Sequence, residues 1–184
     1  MNDAASKQFE AASFAFDAAN AGDPRVLRVR DVDRPWTLGE AELATLWLAE
    51  LEPDASVALR LAVRAHHIRR WETPRASYPE GRAGYLKWRK HLYDVAFDHA
   101  AAILRANDYD EATIERVGDL MHKRNLTGNP DAQTYEDVLC LVFLESQLTD
   151  FAAKTDPDKL DRIVEKTLVK MSDRAKAAWE AFSA

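Results

Sequence analysis

Apolar residues recur along the chain at spacings of three and four, the period of an α-helix. Phe9, Ala12, Phe16 and Ala19 predict a first helix over about 3–21, ended by "GDP" at 22–24. A loop follows to Trp36. "TLGE" at 37–40 reads as a capping box, with Thr37 as N-cap and Glu40 at N3, opening a helix to about Leu51. Asp54 or Ser56 caps a third helix expected to reach Glu72. Val57, Ala58, Leu61, Ala65 and Ile68 form its core arc, and Arg60, Arg64, His67 and Trp71 a second stripe. "TPRASYPEGR" at 73–82 is a loop, and a long helix is expected over 83–106. Asp110 caps a fifth helix with Ile114, Val117, Leu120 and Met121 on one face, and "TGNPD" breaks it. "TYED" at 134–137 opens a sixth, "VLCLVFLESQL", which is apolar nearly all round and belongs at the centre. Asp156 as N-cap and Pro157 at N1 start a last helix to the C-terminus. No strand pattern, repeat or linker interrupts this series. The expectation is a single all-α domain over 1–184, a compact bundle of about seven helices.

Composition adds the compartment. With 184 residues, 47% of them apolar, a sizeable core is expected. The single cysteine excludes an internal disulfide, and Cys140 reads as core. The N-terminal stretch does not resemble a signal peptide, and no apolar run approaches the roughly 20 residues that span a bilayer. The expected localisation is cytoplasmic, with no membrane partner.

Charge is uneven. The net charge of −6 argues against a general nucleic-acid coat, yet residues 60–90 hold nine Lys/Arg and two Glu, a local +7. Such an island is either a solvated helix face paired with acidic neighbours or a grip for an anionic partner. Arginine binds phosphate oxygens in bidentate fashion, and Arg69, Arg70, Arg75, Arg82 and Arg89 are available. Trp71, Tyr78, Tyr85 and Trp88 lie between them, able to stack on a base or simply to pin the loop.

Metal chemistry has weaker signals. A His pair at i and i+4 is absent. On a continuous helix His66 and His67 point about 100° apart, so only one of them is expected to meet a given ion. His91 and His122 read as surface residues on polar faces, and Asp17 as a capping or salt-bridge residue or a ligand.

Longer strings resemble a known family. "AHHIRRWETPRASYPEGRAGYLKWR" (65–89), "QTYEDVLCLVFLE" (133–145) and "KTLVKMS" (166–172), with "FDAAN" at 16–20 and "PDAS" at 53–56, are similar to domain of unknown function 4202. That resemblance brings no established activity. Members are often labelled glutamyl-tRNA synthetase, and "HIRR" and "KMSDR" are faintly like two synthetase boxes. Arg69 and Arg70 stand where that nucleotide site needs a glycine and a second histidine, and no βαβ pattern is present. The label is rejected.

"AVRAHHI" (62–68) also resembles the dyad region of HD-domain phosphohydrolases, all-α proteins that gather His and Asp ligands from several helices. This likeness implies an HD-like bundle. It also implies one divalent transition metal (Mn, Fe or Zn) held by His67, His66, His99 and Asp137. Glu136 and Asp137 are the candidate catalytic carboxylates, though both also suit the dipole of a first helical turn. The family tends to carry a further histidine where this chain has Ala96, and His99 lies one turn on.

Two functions follow as expectations. One is a degenerate HD-like metal-dependent phosphohydrolase acting on a nucleotide or phosphorylated small molecule. The other is a non-catalytic protein that binds an anionic ligand, RNA or a protein partner through the basic-aromatic 60–90 surface.

Overall fold

Helix α1 (Asp3–Asn20) begins a computed structural model that describes residues 3–125, 127–148 and 155–184. Beyond it lies a feature absent from the expected bundle, an antiparallel hairpin of β1 (Val26–Val29) and β2 (Val32–Pro35), with Leu27 opposite Arg34 and Val29 opposite Val32. Arg30 and Asp31 turn it with φ of 40° and 79°, the twist that two-residue hairpin turns require. Neither residue is the usual glycine, so the turn carries little sequence signal. The hairpin rests on α2 (Trp36–Leu51) at Gly39, where a Cβ would come within 2.9 Å of Val29 Cγ2.

The capping box at the start of α2 is not formed. Pro35 is the N-cap and makes no side-chain bond. Thr37 is buried, and its N–H and hydroxyl donate to Asp23 Oδ2 at 3.1 and 2.6 Å. Asp23 therefore does the work expected of Thr37, from outside the helix. Glu40 is released to point inward.

The third helix is shorter than expected. Ser56 caps α3 (Val57–Arg64) by accepting from the Leu59 N–H, and the chain then leaves helical geometry, with His67 at φ 61° and Arg69 at φ 54°. Short 3₁₀ turns follow at Arg70–Glu72 and Arg75–Ser77. The break is held by α1. The buried Asn20 accepts from the Arg69 N–H at 3.1 Å, and Asp17 takes Arg64 in a two-pronged ion pair at 2.6 and 2.7 Å. Asp17 thus fills the salt-bridge role.

Helix α4 (Gly81–Ala106) crosses the bundle, α5 (Glu111–His122) starts on the Asp110 cap, and α6 (Asp131–Ser146) packs along α2. As its pattern requires, α6 buries Tyr135, Val138, Leu141 and Leu144 within one core that includes Phe16, Trp47, Leu61 and Leu104. The expected last helix is two: α7 (Pro157–Leu168), capped by Asp156, and α8 (Asp173–Ser183), capped by Ser172. All-α is the right class. The hairpin and the divided C-terminal helix depart from seven simple helices.

One close approach fixes the entry to α4. A Cβ on Gly84 would lie 1.8 Å from the Pro79 carbonyl oxygen, so only glycine lets the loop fold against the first turn. Gly84→Ala should lower stability by about 1–3 kcal/mol through this clash. At an unobstructed helical site the same change would raise stability by about 1 kcal/mol. Urea denaturation reads the sign, and a stabilised variant would contradict the contact.

Candidate functional site

Because α3 ends at Arg64, His66 and His67 are not spread around a helix. Their rings stack, with centroids 3.7 Å apart and planes tilted by 34°. The expected 100° separation is corrected by the left-handed turn. His66 Nδ1 lies 3.1 Å from the Tyr135 hydroxyl. His67 Nδ1 lies 3.4 Å from Glu40 Oε2, and Glu40 Oε1 accepts from Gln147 Nε2 at 2.7 Å. Arg70 sets its Nη1 3.1–3.2 Å from both ring nitrogens of His67.

These groups floor a cavity of about 440 Å³ walled by α4, the end of α5, α6 and the α7–α8 junction. Its size suits a small-molecule ligand. Arg70, Arg89, Lys123 and Lys170 line it, against Glu40 and Glu136. Lys123 bonds Glu136, and Lys170 approaches the same carboxylate at 3.5 Å. The two arginines are different. Among the described residues neither has a carboxylate within ion-pair distance. Arg70 lies over Trp88, 5.3 Å from the ring centroid, and Arg89 donates to the Tyr93 hydroxyl at 2.5 Å and flanks Tyr85. Trp88 is itself fixed by donating to the Thr73 carbonyl at 2.9 Å.

Burial and like charge govern titration here. Burial first, and His67 next, hold the His66 pKa well below the ordinary imidazole value. Burial, then Arg70 and Lys123, do the same to His67, 24% of whose side chain remains exposed. Burial lowers Arg70 and raises Glu40, the latter against the pull of Arg70 and His66. Burial also raises the Tyr135 hydroxyl, and lifts the Cys140 thiol to about 11. Cys140 touches the cavity but stays a thiol. Glu136 is lowered: burial is the largest single influence and opposes this, but Lys123 and Lys170 together outweigh it.

Of the anion-binding candidates, Arg70, Tyr85, Trp88 and Arg89 reach the cavity. Arg69 instead pairs with Glu72 at 2.6 Å, and Arg75 donates to the carbonyls of Tyr78 and Pro79 at 2.9 and 2.8 Å. Trp71 lies against Gly22, Tyr78 neighbours His91, and Arg82 is exposed outside the lining.

Of the metal candidates, His66 and His67 line the cavity while His99 and Asp137 do not. Asp137 is buried on another side of α6. It accepts from the Ser172 N–H and hydroxyl at 2.8 and 2.6 Å and from Gln133 at 2.9 Å, so it anchors the start of α8. Ala96 presents a methyl group to the cavity where the resemblance suggests a histidine. Among the described residues, no three His, Cys, Asp or Glu side chains converge to hold a metal ion. His122 is also not a surface residue. Only 12% of its side chain is exposed, with Nδ1 2.9 Å from the Gly118 carbonyl oxygen and its ring edge-on to Phe97.

The sequence reading missed Glu40, Tyr93, Lys123, Tyr135, Gln147 and Lys170. Glu40 was masked by the capping-box spacing. The others come from four separate segments, and nothing in their local pattern marks them.

The model of a family described as "Domain of unknown function (DUF4202)" matches residues 10–183. No curated protein and no solved structure matches the chain. Among the described residues, no helix is long and apolar enough to cross a membrane.

The neutral imidazoles give a pH test. Their folded-state pKa values lie below the unfolded value of 6.5, so the unfolded chain binds more protons in this window. Their stabilising contribution is complete above pH 6.5 and is lost as pH falls below it. Each histidine accounts for up to about 1.4 kcal/mol per pH unit. Glu40, with its raised pKa, works in the opposite direction. Denaturation curves should show stability falling between about pH 7 and pH 5.5. A His66→Gln, His67→Gln double variant should flatten that fall. An unchanged slope would show that the pair titrates normally.

Proposed function

This chain belongs to the DUF4202 family, whose description names no activity, and from the geometry of its cavity we propose that it binds an anionic small molecule of the nucleotide or phosphorylated-metabolite class. The observation that carries this reading is the pair Arg70 and Arg89. Each points a guanidinium at one cavity with no carboxylate at ion-pair distance among the described residues, and half-buried Arg70 is partly stripped of water as well. A charge in that setting is stabilised by a counter-ion from outside. Phosphate oxygens match the guanidinium fork. Tyr85, Trp88 and Tyr93 supply apolar and stacking surface beside the charges.

The recessed, half-open shape supports a small molecule over RNA or a protein surface. The basic surface of 60–90 is also less available than its charge suggests, because Arg69 and Arg75 are engaged locally. We read the site as a metal-free binding site rather than an HD-like hydrolase. Asp137 and His99 lie outside it, and Ala96 leaves a third imidazole missing.

Calorimetry against a panel of nucleotides and phosphorylated small molecules, with EDTA and at two salt concentrations, tests this. At least one member should bind, more weakly at high salt. Arg70→Gln and Arg89→Gln should each weaken it roughly ten- to hundredfold, the range for a lost charge-assisted hydrogen bond. No salt-sensitive binding by any anion would overturn the reading. Binding or hydrolysis that requires added Mn, Fe or Zn would replace it with the metal-dependent phosphohydrolase.

A further inference from the structure

Anion binding by Arg70 and Arg89 leaves the two stacked histidines beneath them without a role. A guanidinium at 3.1–3.2 Å from both nitrogens of His67 requires that ring to be neutral, since an imidazolium there would meet a like charge. Lying almost equally far from the two nitrogens, the Arg70 guanidinium sits over the face of the His67 ring, where its charge opposes a proton on either nitrogen. Both rings line the cavity, and among the described residues the side-chain bond of His66 is at Nδ1, with the Tyr135 hydroxyl.

The charged and titratable groups around the pair are mixed. Arg70 faces it from the turn after α3, Arg89 with Tyr85 and Tyr93 from α4, and Lys123 from the end of α5. Lys170 faces the cavity from the junction before α8, and Arg25 acts from behind Glu40. Acidic groups are Glu40 from α2 and Glu136 from α6, the latter already bonded to Lys123. Tyr135 adds a hydroxyl that burial keeps protonated. The field on the pair is thus positive and held by cations that an anion would engage.

We propose that the stacked His66–His67 pair takes up a proton together with the ligand, so that the site selects a doubly charged tetrahedral group such as the terminal phosphate of a monoester. The inference rests on the anion-binding reading. The anion draws Arg70 off the face of His67 and cancels part of the positive field that opposes protonation. A proton from solvent then occupies one imidazole, and the imidazolium becomes a further ligand to the anion. No bond in the ligand breaks.

Sulfate is the probe, because its charge does not change across the neutral range, and methyl sulfate is its singly charged control. Calorimetry in buffers of different ionisation enthalpy gives the protons taken up. The expected result is net uptake of up to about one proton per site near neutral pH, with affinity rising by at most about tenfold per pH unit as pH falls. Sulfate should bind about tenfold more tightly than methyl sulfate, the scale of one added charge-assisted contact. Imidazole resonances of ¹⁵N-labelled His66 or His67, assigned with His66→Gln and His67→Gln, should move to imidazolium positions as sulfate is added. Sulfate binding without proton uptake, uptake with both imidazoles unmoved, or equal affinity for the two anions would overturn this inference alone. Nucleotide binding without sulfate binding would do the same. If no anion binds, the anion-binding reading falls and takes this inference with it.

Discussion

Arg70 carries a positive charge into a half-buried position with no carboxylate at ion-pair distance among the described residues, and much of the local structure makes that placement tolerable. Guanidinium is weakly hydrated for a cation and can lie on aromatic faces. Trp88 provides such a face, and the neutral ring of His67 provides a second. Glu40 is near enough to favour the charge without forming an ion pair, since its own burial pushes its carboxyl toward the neutral form. The result is a site whose charges balance only when something negative enters.

Holding this arrangement needs a backbone that most sequences avoid. His67 and Arg69 both have positive φ, which costs on the order of 1 kcal/mol for each residue with a Cβ. Three neighbours offset that cost: Asn20 receives the Arg69 N–H, Asp17 clamps Arg64, and Trp88 ties the following loop through Thr73. Gly84 lets the same loop close on α4. Strain at the turn, the histidine stack and the cavity floor are one feature seen at three scales, a common arrangement where a site requires an exact pose.

The elements that were legible in the sequence are those with long, regular apolar spacing. Helices α1, α4, α5 and α6 follow their periods, and Asp110 and Asp156 cap as their positions suggest. The turn after Arg64 was hidden, because no glycine or proline marks it and Ile68 continues the helical arc while being buried by a different path. Glu40 and Asp137 were hidden for another reason. Each sits at a first-turn spacing that mimics a capping role, but tertiary partners claim them: Gln147 and His67 for Glu40, Ser172 for Asp137. Local sequence carries no trace of such partners. The basic-aromatic character of 60–90 was legible in bulk, and four of the nine residues named within it reach the cavity.

The most direct measurement of the central claim is a crystal structure of the protein with selenate, located by its anomalous scattering. The account predicts a selenate peak in the cavity between Arg70 and Arg89, with the Arg70 guanidinium withdrawn from the His67 nitrogens toward it. Peaks confined to the outer surface, with Arg70 still resting on His67, would contradict it.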